Sequence, residues 1–166
     1  MLPIPANLFA NMVEAMNLIS KILPLKNVIL DTDSSSKKRV FERVGILFEN
    51  SQQIARSQVF DSLFAREKLG STGLGQGIAI PHGRIKGTRE AIAAFVKTQT
   101  PIPFDSPDGQ PVNLIFVLLV PERATDLHLQ LLGHLAQMFS DKSFREQLQN
   151  CNDPAVIHQL LTGWKA

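Results

Sequence analysis

The sequence predicts an α/β fold, a single domain in which a mixed β-sheet is flanked by helices on both sides. Residues 114–120 are seven consecutive apolar residues, the pattern of a central strand buried on both faces. Segments with apolar residues at helical spacing lie before, among and after shorter strand-like runs. Helices and strands interleaved in this way form layers in which helices cover a sheet.

The composition limits the class of protein. The chain has 166 residues, 44% of them hydrophobic, which suits one domain of ordinary size with a true core. It carries 17 basic and 15 acidic residues, so the concentrated positive charge of a nucleic-acid binder is not expected. The single cysteine, Cys151, rules out an internal disulfide and a cysteine metal site, and it fits a reducing cytoplasm.

No targeting or membrane segment is predicted. Residues 1–5 lack the basic region and the continuous apolar core of a signal peptide. No run approaches the roughly 18 apolar residues that span a bilayer. We therefore expect a cytoplasmic protein without direct membrane insertion.

The order of elements follows from apolar spacing and breakers. Residues 1–24 are predicted to be an N-terminal helical extension, with a helix over 6–19, and residues 25–166 to be the main domain. The predicted strands are at residues 25–30 (or an extended entry), 77–80, 91–96 and 114–120. The predicted helices are at about residues 37–50, 54–69, 125–139, 141–150 and 154–162. Thr125 or Asp126 and Asp141 are the predicted caps, and Asp153-Pro154 opens the last helix because proline suits its first turn.

Residues 77–83 are the stretch around which we expect the chain to be organised. A short apolar run ends there at Pro81, and His82 and Gly83 follow. Proline cannot donate a ladder hydrogen bond, so the strand is expected to stop there. His82 would then lie at the carboxyl end of a strand, held in a rigid turn. The alternative, equally open from this stretch alone, is an ordinary polar turn residue.

A second histidine has a similar setting. His128 falls in the first turn of a predicted helix, shortly after the 114–120 strand ends at Pro121. Because α/β sheets place their sites at the carboxyl ends of strands, His82 and His128 could meet. Arg66 lies near the end of a predicted helix, where a cation also favours the helix dipole without any further role.

These residue types suit phosphoryl transfer. A neutral imidazole is a good nucleophile toward phosphorus. Arg66 could bind phosphoryl oxygens through its charged fork, His128 through an N–H and Thr72 through its hydroxyl. A metal site at the two histidines would need a third ligand such as Asp126. No acidic pair or Ser-His-Asp order indicates a glycosidase or an acyl transferase.

Three stretches resemble one known family, the fructose/mannitol-type enzyme IIA domains of the bacterial phosphotransferase system. They are residues 64–83 (FAREKLGSTGLGQGIAIPHG), 103–112 (PFDSPDGQPV) and 128–132 (HLQLL). The first is similar to the active-site signature of that family, and the resemblance covers about residues 25–163. By this resemblance, residues 25–166 are an enzyme IIA type-2 domain.

The resemblance implies that His82 is the phosphorylated histidine and that Arg66 and His128 support it. It implies a histidine phosphocarrier protein of the HPr type as donor, and no metal or cofactor. Within the family the chain is most similar to freestanding nitrogen-regulatory members, whose phosphorylation state controls other proteins. A freestanding fructose/mannitol-type enzyme IIA that passes phosphate to an enzyme IIB is the alternative.

Two other classes remain open from the residues. The domain could be an interaction module in which His82 is never phosphorylated. The two histidines could instead be the general acid and base of a hydrolase. Labelling of His82 separates the phosphocarrier from the interaction module, whereas a hydrolase would turn over a small substrate.

Overall fold

The structure, a computed structural model, describes residues 17–166 and confirms the predicted mixed sheet with helices on both faces. Within these residues the helices are α1 (Lys37–Gln52), α2 (Arg56–Glu67), α3 (Thr125–Ser140), α4 (Lys142–Gln149) and α5 (Pro154–Gly163). The strands are β1 (Val28–Asp31), β2 (Gly73–Gly75), β3 (Ile78–Ala79), β4 (His82–Ile85), β5 (Ile92–Ile102) and β6 (Val112–Pro121).

The chain enters the sheet through two short 3-10 turns, Leu18–Lys21 and Leu25–Asn27. The predicted helix over 6–19 falls mostly on residues 1–16, outside the described residues. Ile19 and Leu23, within the predicted extension, are fully buried in the core beside the sheet. The described end of that segment therefore packs with the domain.

The central strand is β6, as the apolar run predicted. It pairs antiparallel with β5 and parallel with β3 and β4, and all its residues from Leu114 to Val120 are fully buried. Leu114, Phe116, Leu118 and Val120 face the core under α3, α4 and α5. Ile115, Val117 and Leu119 face the core under α1 and α2. Burial on both faces explains why the run does not alternate.

The prediction that His82 follows a strand in a turn is wrong. The strand does break near Pro81, but β4 begins at His82 itself. Both β3 and β4 pair with β6 in parallel, Ile78 opposite Leu114 and His82 opposite Leu118. The ladder resumes because the carbonyl of Pro81 can still accept, here from the N–H of Leu118 at 2.9 Å.

Helix caps agree with the sequence at two of three predicted starts. Asp141 accepts the N–H of Phe144, and Asp153 accepts the N–H of Ala155. The prediction that Thr125 or Asp126 caps the third helix is wrong. Ala124 is the N-cap of α3 and no side-chain cap bond forms there among the described residues. Both predicted caps instead lie inside the first turn.

Helix α2 packs unusually close to β4 at Gly83. The hydroxyl of Ser62 on α2 donates to the carbonyl of Arg84 at 2.9 Å. A Cβ at residue 83 would overlap that hydroxyl and would lie 3.2 Å from the Ser62 Cβ. Gly83 is therefore required by the close approach of a helix, next to His82.

We expect Gly83→Ala to destabilise the protein by about 1–3 kcal/mol, because the added methyl must displace α2. Gly133→Ala is the matched control, since the exposed Gly133 lies inside α3 and a Cβ there meets nothing within 4 Å. The control should gain roughly 0.5–1 kcal/mol of stability from helix propensity. Urea denaturation of both variants measures the difference, and equal effects would contradict the packing argument.

Candidate functional site

A cleft of about 500 Å³ lies where α2, β4 and the first turn of α3 meet. The residues that line it are Ser62, Ala65, Arg66, Leu69, His82, Gly83, Arg84 and His128. Three of the four predicted site residues are thus brought together from separate elements. The fourth, Thr72, does not line this cleft.

The tautomer of His82 follows from one hydrogen bond. Its Nδ1 lies 2.7 Å from the carbonyl oxygen of Ile80. A carbonyl oxygen only accepts, so Nδ1 carries the proton and donates. Nε2 therefore keeps its lone pair, the state that a nucleophile requires.

The surroundings of His82 keep the imidazole neutral. Burial lowers the pKa of His82 below its ordinary value of 6.5. The hydrogen bond to Ile80 and the charge of Glu67 act to raise this pKa, and the charge of Arg66 lowers it. Burial prevails, so the ring is uncharged at neutral pH.

His128 stands beside His82, as the positions of the two strands predicted. The ring centroids are 5.3 Å apart and the rings meet edge to face at 73°. Burial lowers the pKa of His128, and the neighbouring His82, Arg84 and Arg66 lower it further. Its Nδ1 is buried without a hydrogen-bond partner among residues 17–166. The site thus holds an imidazole nitrogen with unused bonding capacity.

Arg66 contributes to the end of α2 and also lines the cleft. Its guanidinium Nη1 donates to the carbonyl of Gly70 at 2.9 Å, just beyond the end of α2. The same side chain lines the cleft, and its charge lowers the pKa of both histidines. The bond to Gly70 occupies only part of a fork that has several donors.

Thr72 is engaged elsewhere. It is buried, and its hydroxyl donates to Glu67 Oε2 at 2.6 Å while its backbone N–H donates to Oε1 of the same carboxylate. Its contact with phosphoryl oxygens stays a prediction, and that contact requires the hydroxyl proton to leave Glu67.

Glu67 is a residue that the sequence analysis missed. Its buried carboxylate pairs with Lys37 Nζ at 2.9 Å and holds Thr72. The signal was its spacing, because Glu67 follows Val59 and Leu63 at intervals of four on the buried stripe of α2. A carboxylate at such a position needs a cation or several donors.

Arg84 was also missed. It lies two residues after His82 in β4, so both side chains point to the same side of the strand. The alternation of side chains along a strand points to Arg84 only when His82 is known to begin that strand. Without that knowledge, Arg84 looked like part of a polar loop.

Among residues 17–166 no group of three His, Cys, Asp or Glu side chains is placed to hold a metal ion. In the same range no helix is both long and apolar enough to cross a bilayer.

Comparison with known proteins shows the family to which the chain belongs. Residues 21–163 match the model of the family described as phosphoenolpyruvate-dependent sugar phosphotransferase system, EIIA 2. The chain belongs to this family, as the three sequence stretches indicated.

Relatives within the family are more specific. The nitrogen regulatory protein of Pseudomonas aeruginosa is 40% identical over 144 residues, 86% of this chain and 94% of the relative. The crystal structure of nitrogen regulatory protein IIA-Ntr from Neisseria meningitidis shares 53% identity with a TM-score of 0.83, covering 88% of this chain and all of that one.

A sugar-type relative is less similar. The fructose-specific EIIA component of the phosphotransferase system of Haloferax volcanii is 30% identical over 144 residues, 86% of this chain and 94% of the relative. The predicted resemblance to the nitrogen-regulatory type is confirmed by these differences in identity.

We expect the His82 ring to titrate below pH 6.5 in the folded protein and near 6.5 in urea, because burial lowers its folded-state pKa. The unfolded chain then binds more protons as pH falls through this window, so the free energy of unfolding decreases below about pH 6.5. His128 and His134, whose pKa values burial also lowers, add to the same slope.

Ring ¹⁵N NMR assigns each titration, and urea denaturation at pH 7.5 and 5.5 measures the slope. A His82 midpoint above 6.5, or equal stability at both pH values, would contradict this account.

Proposed function

We propose that this chain is a phosphocarrier that accepts a phosphoryl group on His82 Nε2 and acts through its phosphorylation state. The observation that carries the proposal is the hydrogen bond from Nδ1 to Ile80, which leaves Nε2 unprotonated beside the cleft. The donor is a phosphohistidine of an HPr-like phosphocarrier protein, consistent with membership of a phosphoenolpyruvate-dependent family.

The proposed step is an in-line displacement. The Nε2 lone pair forms a bond to phosphorus as the bond from phosphorus to the donor imidazole breaks, and the leaving electron pair returns to that imidazole. Positive charge develops on the His82 ring during attack. The carbonyl of Ile80, which accepts from Nδ1 at 2.7 Å, stabilises that charge.

Electrostatic stabilisation supplies the rest of the proposed catalysis. Arg66 and His128 bind the equatorial oxygens, which carry the negative charge of the transferring group. The described residues that line the cleft include two guanidinium groups and no carboxylate. This charge pattern favours an anionic group and supports the choice of phosphoryl transfer over a cationic ligand. The step uses no metal or cofactor.

We propose a regulatory role, because the chain shares more identity with nitrogen regulatory proteins than with the fructose-specific relative. The acceptors of the signal are regulatory target proteins in the cytoplasm. Transfer to an enzyme IIB in sugar uptake is the second candidate, favoured by coverage of 94% of that fructose-specific relative. Discharge of the phosphorylated protein by a purified enzyme IIB would support the second candidate.

The proposal predicts that phosphoenolpyruvate, enzyme I and an HPr-type protein label the wild-type chain with acid-labile, base-stable phosphate, and that His82→Ala abolishes the label. The alanine variant removes the attacking nitrogen but leaves β4 paired with β6. His134→Ala is the control that should keep the label. An unlabelled wild-type chain with several donor pairs would favour the interaction module, and steady phosphate release without label would favour a hydrolase.

Arg66→Gln should slow labelling by roughly 100-fold, the usual effect of removing one charged donor from a transition state. Lys68→Gln removes the same charge two residues further along, outside the set of cleft-lining residues, and should stay within about twofold of wild type. Rapid-quench measurement of a single turnover gives both rates. Equal rates for the two variants would leave Arg66 with a role only at the helix end.

A further inference from the structure

A second guanidinium reaches the cleft from a different element. Arg66 extends from α2, whereas Arg84 extends from β4 on the same side of the strand as His82. On the opposite side of the strand, Ile85 is buried in the core under α1 and α2, and Gly83 lies against α2. The strand therefore presents a nucleophile and a cation next to each other.

One hydrogen bond fixes the position of Arg84. Its Nη1 donates to the carbonyl of Glu122 at 2.7 Å. Glu122 directly follows β6, and its own N–H donates to the carbonyl of Ile85 at 3.1 Å. Arg84 thus links the His82 strand to the segment that leads into α3, the helix of His128. The tether orients the guanidinium on a rigid frame.

The tether leaves most of the fork unused. An arginine side chain has five N–H donors, and within residues 17–166 the Glu122 carbonyl is the acceptor that Arg84 contacts. No carboxylate among the described residues forms a salt bridge with it. An exposed cation without an ion-pair partner, held beside a nucleophile, suits an anionic ligand.

The positive charge of Arg84 affects the pKa of His128. It contributes to the lowered pKa of that ring, as Arg66 does, although burial is the larger cause. Two cations thus act on the same part of the cleft. A phosphoryl group on His82 would carry nearly two negative charges, which one guanidinium does not balance.

We infer that Arg84 is a second phosphate-binding residue, which donates hydrogen bonds to the phosphoryl oxygens from β4 while Arg66 does so from α2. This inference rests on the proposed function and deepens it. Arg84 makes and breaks no covalent bond. It stabilises charge in the transition state and on phosphorylated His82.

The test compares Arg84→Gln, Arg84→Lys and the control Lys86→Gln. Lys86 is exposed, carries the same charge two residues further on, and does not line the cleft. At saturating phosphorylated donor, Arg84→Gln should slow the single turnover by roughly 10- to 100-fold. Arg84→Lys should recover part of that loss, because it keeps the charge but lacks the fork of donors, and Lys86→Gln should stay within about twofold.

Three results would overturn the inference. Equal rates for Arg84→Gln and Lys86→Gln would show no local role. Equal slowing by glutamine and lysine would indicate that only the geometry of the Glu122 tether matters. A higher donor requirement with an unchanged saturated rate would make Arg84 a docking residue. Circular dichroism and thermal melting confirm that each variant is folded.

A second measurement does not depend on phosphoryl transfer. Inorganic phosphate is titrated into the unphosphorylated protein, and the ring ¹⁵N shifts of His82 and His128 are followed. We expect binding that weakens about tenfold in Arg84→Gln and is unchanged in Lys86→Gln. Equal binding by all variants would overturn the role of Arg84. Phosphate binding without labelling of wild type would overturn the proposed function while keeping Arg84 as an anion-binding residue.

Discussion

The parallel ladder between β4 and β6 is the constraint on which the site depends. It places His82 opposite Leu118, at the middle of a strand that is buried on both faces. Because β6 cannot move without disturbing both cores, its pairing with β4 holds the backbone of His82 in place. The Nδ1 hydrogen bond to Ile80 then fixes the ring. The position of His82 thus comes from the sheet, and its tautomer comes from the break just before β4.

The break before β4 is part of this arrangement. A regular strand from Ile78 onward would continue the ladder through residues 80 and 81, but Pro81 has no N–H to donate. At this break the carbonyl of Ile80 accepts a hydrogen bond from the imidazole of His82. Pro81 thus interrupts the strand directly before His82, and this interruption sets the tautomer of His82. The His82 ring is thus oriented without a large loop around it.

A buried carboxylate, that of Glu67, lies directly after the cleft residue Arg66 in α2. Glu67 is held by Lys37 and by both donors of Thr72, and its charge acts to raise the pKa of His82 against the effect of burial. A buried carboxylate is tolerated only with such partners. The network joins α1, α2 and the residue that precedes β2.

The sequence by itself determined the elements and the identity of the principal residues. Apolar periodicity located α1, α2, α3 and the buried β6, because each pattern reports which residues face a core. Helix-start signals, Asp141 and the Asp153-Pro154 pair, located α4 and α5. The unusual stretch ending at His82 and the resemblance it carries indicated the family. The proximity of His82 and His128 could be anticipated, since each histidine follows a strand of the same sheet.

Only the tertiary structure decided how these side chains are used. Whether His82 ends one strand or begins the next depends on pairing with β6, a contact between distant residues that no local pattern encodes. The roles open to Thr72 and Arg84 depend on which acceptor lies within reach, Glu67 for one and the Glu122 carbonyl for the other. The local sequence determines which side chains are present. Packing between elements determines their hydrogen-bond partners, and therefore which of these side chains reach the cleft.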